Sequence, residues 1–237
     1  MKDQHLSDLS YLKNSAPPSR YDEDYFERGL VTGLSSYMNY SWMPELTIRM
    51  AHYMALELEF SREDRILDFG CAKGFLVKAL RILDYNAYGV DVSNYAIQHA
   101  DRDISKYCKS ISGCDDPILF KMNCDWLIAK DVFEHLSEIE LRALLKRFIG
   151  NIENIFAAIP LAANDCSNKY ISKEYDRDVT HVLAKSMSWW EDLFLEEGWL
   201  VVNAENEFPG CKENWTSKHA NGNGFFILKN GGPKYRF

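Results

Sequence analysis

Apolar residues recur along this chain in two rhythms, and the switches between them lay out its elements. Leu46, Met50, Met54 and Leu58 return every fourth position with Tyr53 beside them, which predicts a helix over 44–60 with Pro44 in its first turn. Short apolar runs at 65–69 and 87–91 read as buried strands. Each is followed by a helical pattern, to residue 83 in the first case and over 94–106, capped by Ser93, in the second. The third strand has two candidate places, 105–110 or 118–121. Runs at 126–130 and 154–159 give the fourth and fifth strands, the latter stopped by Pro160. Between them Ser137 and Glu140 predict a capping box on a helix to residue 149. Ser188 and Glu191 predict a second box, on a helix to Glu197 that ends at Gly198. Runs at 200–204 and 225–229 follow with no helix between them. Five strands alternating with helices, then two in succession, predict an α/β chain with a seven-stranded, mostly parallel sheet, one antiparallel strand and helices on both faces.

The most informative stretch is the first strand and its exit, Arg65-Ile66-Leu67-Asp68-Phe69-Gly70-Cys71-Ala72-Lys73-Gly74-Phe75-Leu76. An apolar run ends in an acid, turns through two glycines and re-emerges as a helix, the arrangement with which α/β proteins hold nucleotide-like ligands. Gly70 allows the turn, and Gly74 allows close approach of ligand or helix. The second strand, Tyr88-Gly89-Val90-Asp91-Val92-Ser93, also ends in an acid. A carboxylate at that tip is placed to accept both hydroxyls of a ribose.

Asp68-x-Gly70-x-x-x-Gly74 followed by Gly89-Val90-Asp91 resembles the first two motifs of the class I S-adenosylmethionine-dependent methyltransferases. A dinucleotide dehydrogenase would instead carry Gly-x-Gly-x-x-Gly with a helix N-terminus aimed at a pyrophosphate. The loop departs from the family pattern in one place, where Ala72 stands for the middle glycine. Asp131-Val132-Phe133-Glu134-His135-Leu136 resembles the family's fourth-strand motif. Asp178-Val179-Thr180-His181, then Ser186-x-x-Trp189-Trp190 and Gly198-Trp199, resembles the tail of members acting on small molecules and sugars. The resemblance covers about residues 60–229 and implies a Rossmann-like fold, S-adenosylmethionine as cofactor and S-adenosylhomocysteine as product. The cofactor set it implies is Asp68, Phe69, Gly70, Cys71, Gly74, Asp91, Val92 and Asp131. Asp68 is expected to hold the loop's backbone amides, or the cofactor's amino group through a water.

Residues 1–20 are polar and end in Ala16-Pro17-Pro18-Ser19, which reads as a flexible leader. Tyr21, Tyr25, Phe26, Tyr37, Tyr40 and Trp42 then sit among glycines and serines with neither period, an aromatic arm that needs somewhere to dock. In the family it resembles, such arms fold over the cofactor cleft. The expected organisation is one structural domain in which residues 1–60 cover the cleft and residues 61–237 form the methyltransferase core.

At 237 residues and 46% hydrophobic, the chain can bury one sizeable core. A net charge of −8 argues against holding RNA or DNA through a basic surface. Arg142, Lys146 and Arg147 read as a solvated helix face. No apolar run reaches membrane-spanning length and no signal peptide is visible, so the expectation is a cytoplasmic protein with its six cysteines reduced. Histidines and cysteines never fall into ligand spacing, so no structural metal is expected.

Methyl transfer from a sulfonium is an in-line displacement, so the protein must position the acceptor and, for a hydroxyl, remove its proton. His181 is the candidate base, with Asp178 to orient its ring. His135, opening the helix after the fourth strand, is its rival, and Asp131 at that strand's tip is a further candidate for binding the acceptor or a metal. One of Trp189 and Trp190 is a candidate for lining an acceptor pocket. The long segments 161–186 and 208–223, the second with Trp215 and His219, are placed to choose the acceptor. The expected acceptor is a sugar, nucleotide-sugar or other small polar metabolite. The alternatives are a nucleic-acid methyltransferase and a cofactor-binding relative that does not turn over.

Overall fold

Seven strands form one sheet: β1 (Arg65–Phe69), β2 (Asn86–Asp91), β3 (Cys108–Ser110), β4 (Cys124–Lys130), β5 (Ile152–Pro160), β6 (Trp199–Glu205) and β7 (Asn223–Asn230). The computed structural model describes residues 14–232, and the leader expected at 1–20 lies mostly outside them. Strand order is β3-β2-β1-β4-β5-β7-β6. β7 runs antiparallel to both of its neighbours and every other pairing is parallel. Central strands are apolar on both faces because both faces are covered. Leu67, Phe69, Leu127, Ala129, Ile155 and Ala157 enter one core. The residues between them (Ile66, Ile128, Phe156 and Ala158) enter the other.

The helices are α1 (Glu23–Glu27), α2 (Gly29–Thr32), α3 (Pro44–Glu57), α4 (Phe75–Ile82), α5 (Asn94–Gln98), α6 (Glu138–Phe148), α7 (Met187–Glu196) and α8 (Glu213–Thr216). α3 and α4 supply Met54, Leu76 and Leu80 to the second core, and α6 and α7 supply Leu144 and Trp190 to the first. The capping box of α6 forms as expected, with Ser137 and Glu140 bonding reciprocally to each other's backbone. Trp190 is fully buried, and its replacement by alanine is expected to cost about 3–5 kcal/mol, measurable as a lower urea midpoint.

One open choice in the sequence is decided, and three expectations need correction. Of the two places for the third strand, the first holds β3, while residues Pro117–Phe120 form a 3-10 turn capped by Asp116. The helix expected over 94–106 stops at Gln98, because the Asp101 carbonyl captures the amides of Ile104 and Ser105 and turns Ile104 into the second core. α7 is capped by Ser186, whose hydroxyl accepts from the Trp189 amide, so no box forms on Ser188. Of the apolar row on α3, Met54 and Leu58 are buried, whereas Leu46 and Met50 line a cavity described below.

Candidate active site

The strand order reverses direction between β1 and β4, and a crevice opens at their carboxyl ends, where open α/β sheets hold ligands. Its floor is the loop after β1. Gly70 takes φ 80°, and a Cβ there would stand 2.5 Å from Val132 Cγ2. Gly74 takes φ 73°, and a Cβ there would stand 2.6 Å from Cys108 Sγ. Ala72 also adopts the left-handed region, at φ 49°, in the place of the family's middle glycine. Its amide donates to Asp91 Oδ2 at 2.7 Å, while the Ser93 amide donates to Asp91 Oδ1 at 2.7 Å. An ionised carboxylate offers about four lone-pair sites, so Asp91 keeps roughly two for a ligand. Burial raises the Asp91 pKa, and the Ser93 and Ala72 amides work against that rise.

Phe69, Gly70, Asp91, Val92 and Asp131 line this crevice, a cavity of about 110 Å³. Asp68, Cys71 and Gly74 are not on its wall. Asp68 accepts no loop amide among the described residues; Asp91 does so in its place. Burial pushes Asp68 up to about 7, opposed by Lys130 and assisted by Asp91. Cys71 is buried with its sulfur against Gly89, and its thiol is raised by burial.

The aromatic arm closes the crevice from above. Tyr21, Tyr25, Phe26 and Tyr37 line it. Phe26 stacks on Tyr37 and Tyr95, with centroids 5.9 and 6.2 Å apart. The loop itself pins the arm, since Lys73 Nζ donates to Glu27 Oε1 at 2.5 Å and to the Tyr40 carbonyl at 2.8 Å. Ser93 Oγ donates to the Tyr21 carbonyl at 2.5 Å.

A second cavity of about 450 Å³ adjoins the crevice, and Tyr25, Tyr37, Asp131 and His135 line both. Asp131 leaves β4 at φ 56°, a strained conformation for a non-glycine residue. Its carboxylate accepts from Lys130 at 2.5 Å and from Lys212. Burial opposes its ionisation, but the two ammonium groups hold its pKa well below the usual carboxylate range. Glu134 lies deeper and fully buried; burial, then Asp131, raises its pKa well above the ordinary value. The long segment after β5 is strapped across it, with the amides of Val182 and Leu183 donating to the Glu134 carbonyl at 2.9 and 3.1 Å. That strap brings His181 against His135, ring centroids 4.6 Å apart.

His181, His135 and Asp131 thus meet at one cavity, as the sequence suggests, but their couplings differ from expectation. Asp178 Oδ2 is 3.9 Å from His181 Nε2, beyond hydrogen-bond range. His181 is oriented instead by the Tyr175 carbonyl, 2.8 Å from Nδ1. Asp178 serves His135: it accepts from Thr180 Oγ1 at 2.5 Å, and that oxygen lies 2.8 Å from His135 Nδ1. Tyr25 completes the chain by donating to Asp178 Oδ2 at 2.7 Å. Burial, then the neighbouring His135, lowers His181 to about 4, so its imidazole is neutral above that pH. Its ring carbons should show no NMR titration between about pH 8 and about pH 5; a midpoint near the ordinary value of about 6.5 would contradict the burial.

Trp189 and Trp190 line neither cavity; Trp190 is core and Trp189 packs at its edge. Trp215 does line the larger one, beside Tyr175 at a centroid distance of 5.2 Å. His219 stands outside it, its Nε2 3.4 Å from Glu174 Oε2. Sequence reasoning missed the roles of Glu134, Lys130, Tyr175, Thr180 and Lys212. The Glu-His pair after β4 was the one available signal for Glu134.

No family model matches the chain, and no curated protein sequence matches it. Solved structures do. An S-adenosylmethionine-dependent methyltransferase from Archaeoglobus fulgidus is 15% identical with a TM-score of 0.60, over 79% of this chain and 95% of that one. The 4+2 cyclase SpnF is 12% identical with a TM-score of 0.61, over 92% and 98%. The mitomycin 7-O-methyltransferase MmcR is 15% identical with a TM-score of 0.53, over 91% and 69%. Identities this low speak to architecture, and a cyclase among the matches shows that architecture and reaction are separable. Strand order and helix placement give the chain the Rossmann-like fold of the class I S-adenosylmethionine-dependent methyltransferases.

Proposed function

We propose that the chain transfers the methyl group of S-adenosylmethionine to a hydroxyl of a small polar acceptor, of sugar, nucleotide-sugar or similar size. The observation that carries this reading is the adjacency of the two cavities, which share Asp131 and His135 as a common wall. The crevice offers what the cofactor needs: a glycine loop for its methionine end and Asp91 for its ribose hydroxyls. The methyl then lies at the shared wall, facing an acceptor in the larger cavity. Two neighbours are named as S-adenosylmethionine-dependent methyltransferases, and a third, the methyltransferase CalO1, was solved with S-adenosylhomocysteine bound. Sites for small ligands commonly measure about 300–1,000 Å³, a range that includes the larger cavity but not the crevice.

The wall of the larger cavity mixes aromatic faces (Tyr175, Trp215) with charged groups, which suits a polar metabolite. His181 Nε2 supplies the lone pair that the acceptor hydroxyl meets, because Nδ1 is committed to the Tyr175 carbonyl. Incubating the protein with S-adenosylmethionine and a panel of sugars, nucleotide-sugars and hydroxylated metabolites should give S-adenosylhomocysteine with at least one of them, and a methyl ether by mass. Turnover on RNA or DNA instead, with steep salt dependence, would replace this reading by the nucleic-acid one. Cofactor binding without any transfer would favour a non-methylating relative.

A further inference from the structure

Glu134 is fully buried, yet neither carboxylate oxygen has a hydrogen-bond partner among the described residues. An unsatisfied buried polar group costs roughly 1–3 kcal/mol, and more when charged, so its retention calls for a reason. It does not stand alone. One ligand atom each from Glu134, His135 and His181 lie within 4.8 Å of one another.

Neither imidazole is free to turn. A carbonyl oxygen only accepts, so His181 Nδ1, 2.8 Å from the Tyr175 carbonyl, carries the proton and Nε2 keeps its lone pair. Thr180 spends its own hydroxyl proton on Asp178, so its oxygen receives the Nδ1 proton of His135, whose Nε2 is likewise open. Histidines that bind metals are held in this way, one ring nitrogen donating to a fixed oxygen and the other turned to the ion. His181 Nε2 lies 3.9 Å from Glu134 Oε1, too far for a hydrogen bond. Two donors each bound at about 2.0–2.2 Å to one ion would stand roughly 3–4 Å apart.

We propose that Glu134, His135 and His181 hold one divalent first-row transition metal ion at the wall of the larger cavity, where it grips the acceptor hydroxyl. Two imidazoles and one carboxylate suit manganese, iron, cobalt or zinc better than magnesium or calcium, which take mostly oxygen. Thr180 and the Tyr175 carbonyl act as positioning groups for the two rings. This inference rests on the methyl-transfer reading above and names how its hydroxyl is activated. The acceptor oxygen binds the ion, which lowers the hydroxyl's pKa, and the proton passes to solvent. The resulting alkoxide oxygen forms the bond to the methyl carbon as the sulfur–methyl bond breaks. That electron pair stays on sulfur, so a cationic sulfonium and an anionic alkoxide become a neutral thioether and a neutral ether. With the ion in place, His181 serves as a ligand and not as a free base.

The test uses the full chain stripped with a chelator and titrated with cobalt(II), followed by calorimetry and by visible absorption. One ion per chain is expected, with absorption bands of nitrogen- and oxygen-ligated cobalt and a raised melting temperature. Glu134→Gln and His181→Ala should each weaken binding by about a hundredfold, and Thr180→Val by roughly ten- to a hundredfold. S-adenosylhomocysteine binding retained in these variants establishes that they are folded. Should a variant fail to fold, the cobalt-induced melting shift of the wild type still decides. Absence of cobalt binding and of that shift overturns the site, as does wild-type affinity in both Glu134→Gln and His181→Ala. If the stripped wild type binds S-adenosylhomocysteine but no cobalt, the metal site falls and methyl transfer stands. If it does not bind S-adenosylhomocysteine, the methyl-transfer reading is the one that fails.

Discussion

Replacing Asp91 with alanine is expected to weaken S-adenosylhomocysteine binding by about a hundredfold or more. Two hydroxyls bonded to one carboxylate are charge-assisted contacts, each worth about 1.5–3 kcal/mol, and 1.4 kcal/mol is a factor of ten. The same substitution frees the amides of Ala72 and Ser93, both of which Asp91 holds at 2.7 Å, so the glycine loop loses its anchor as well. Asp91→Asn keeps the shape and one acceptor, and should fall between wild type and alanine. Calorimetry with S-adenosylhomocysteine measures all three, with a thermal melt to show that each is folded. Unchanged affinity in the alanine variant would remove the ribose from this position.

His181→Ala should lower turnover by about a hundredfold to ten-thousandfold while leaving cofactor affinity nearly unchanged. The ring lines the larger cavity and not the crevice, which is why binding and rate should separate. His135 lines both cavities, so His135→Ala should affect cofactor affinity and turnover together. Steady-state assays on an accepted substrate, with cofactor affinity measured independently, distinguish the two variants. Near-normal turnover in His181→Ala would exclude it from acceptor activation. Because burial lowers His181 to about 4, metal-free protein in which His181 acts as the base should not lose turnover as pH drops through about 6.5, the unperturbed histidine value.

The sheet was legible because its signals are local. β1, β2, β4 and β5 each contain a short, mostly buried apolar run, and the Ser137–Glu140 box and Gly198 mark helix ends by their own chemistry. β3 was ambiguous because it holds only the three residues Cys108–Ser110, two of them exposed, too few to show a period. The helix after Ser93 was overestimated because its end is set by the turn at Asp101, and tertiary packing of Ile104 overrides helical propensity there.

The site divides in the same way. The turn at Gly70 and the acid at the tip of β2 are visible in sequence spacing, and both line the crevice. Asp131 follows from its place at the end of β4. The partnerships do not follow. That Asp178 serves His135 through Thr180, and that Tyr175 orients His181, depends on how residues 161–186 cross the sheet edge, and no period encodes that path. Lys212 reaches Asp131 from a segment 81 residues away, where a lone lysine in sequence reads as solvated.

The measurement that most directly tests the methyl-transfer account is titration of the wild-type chain with S-adenosylmethionine and S-adenosylhomocysteine by calorimetry. The account predicts saturable binding of one molecule per chain, in the micromolar range, together with slowed hydrogen exchange in the arm from Tyr21 to Tyr40. Absence of saturable binding of either compound would contradict it, whatever acceptor were supplied.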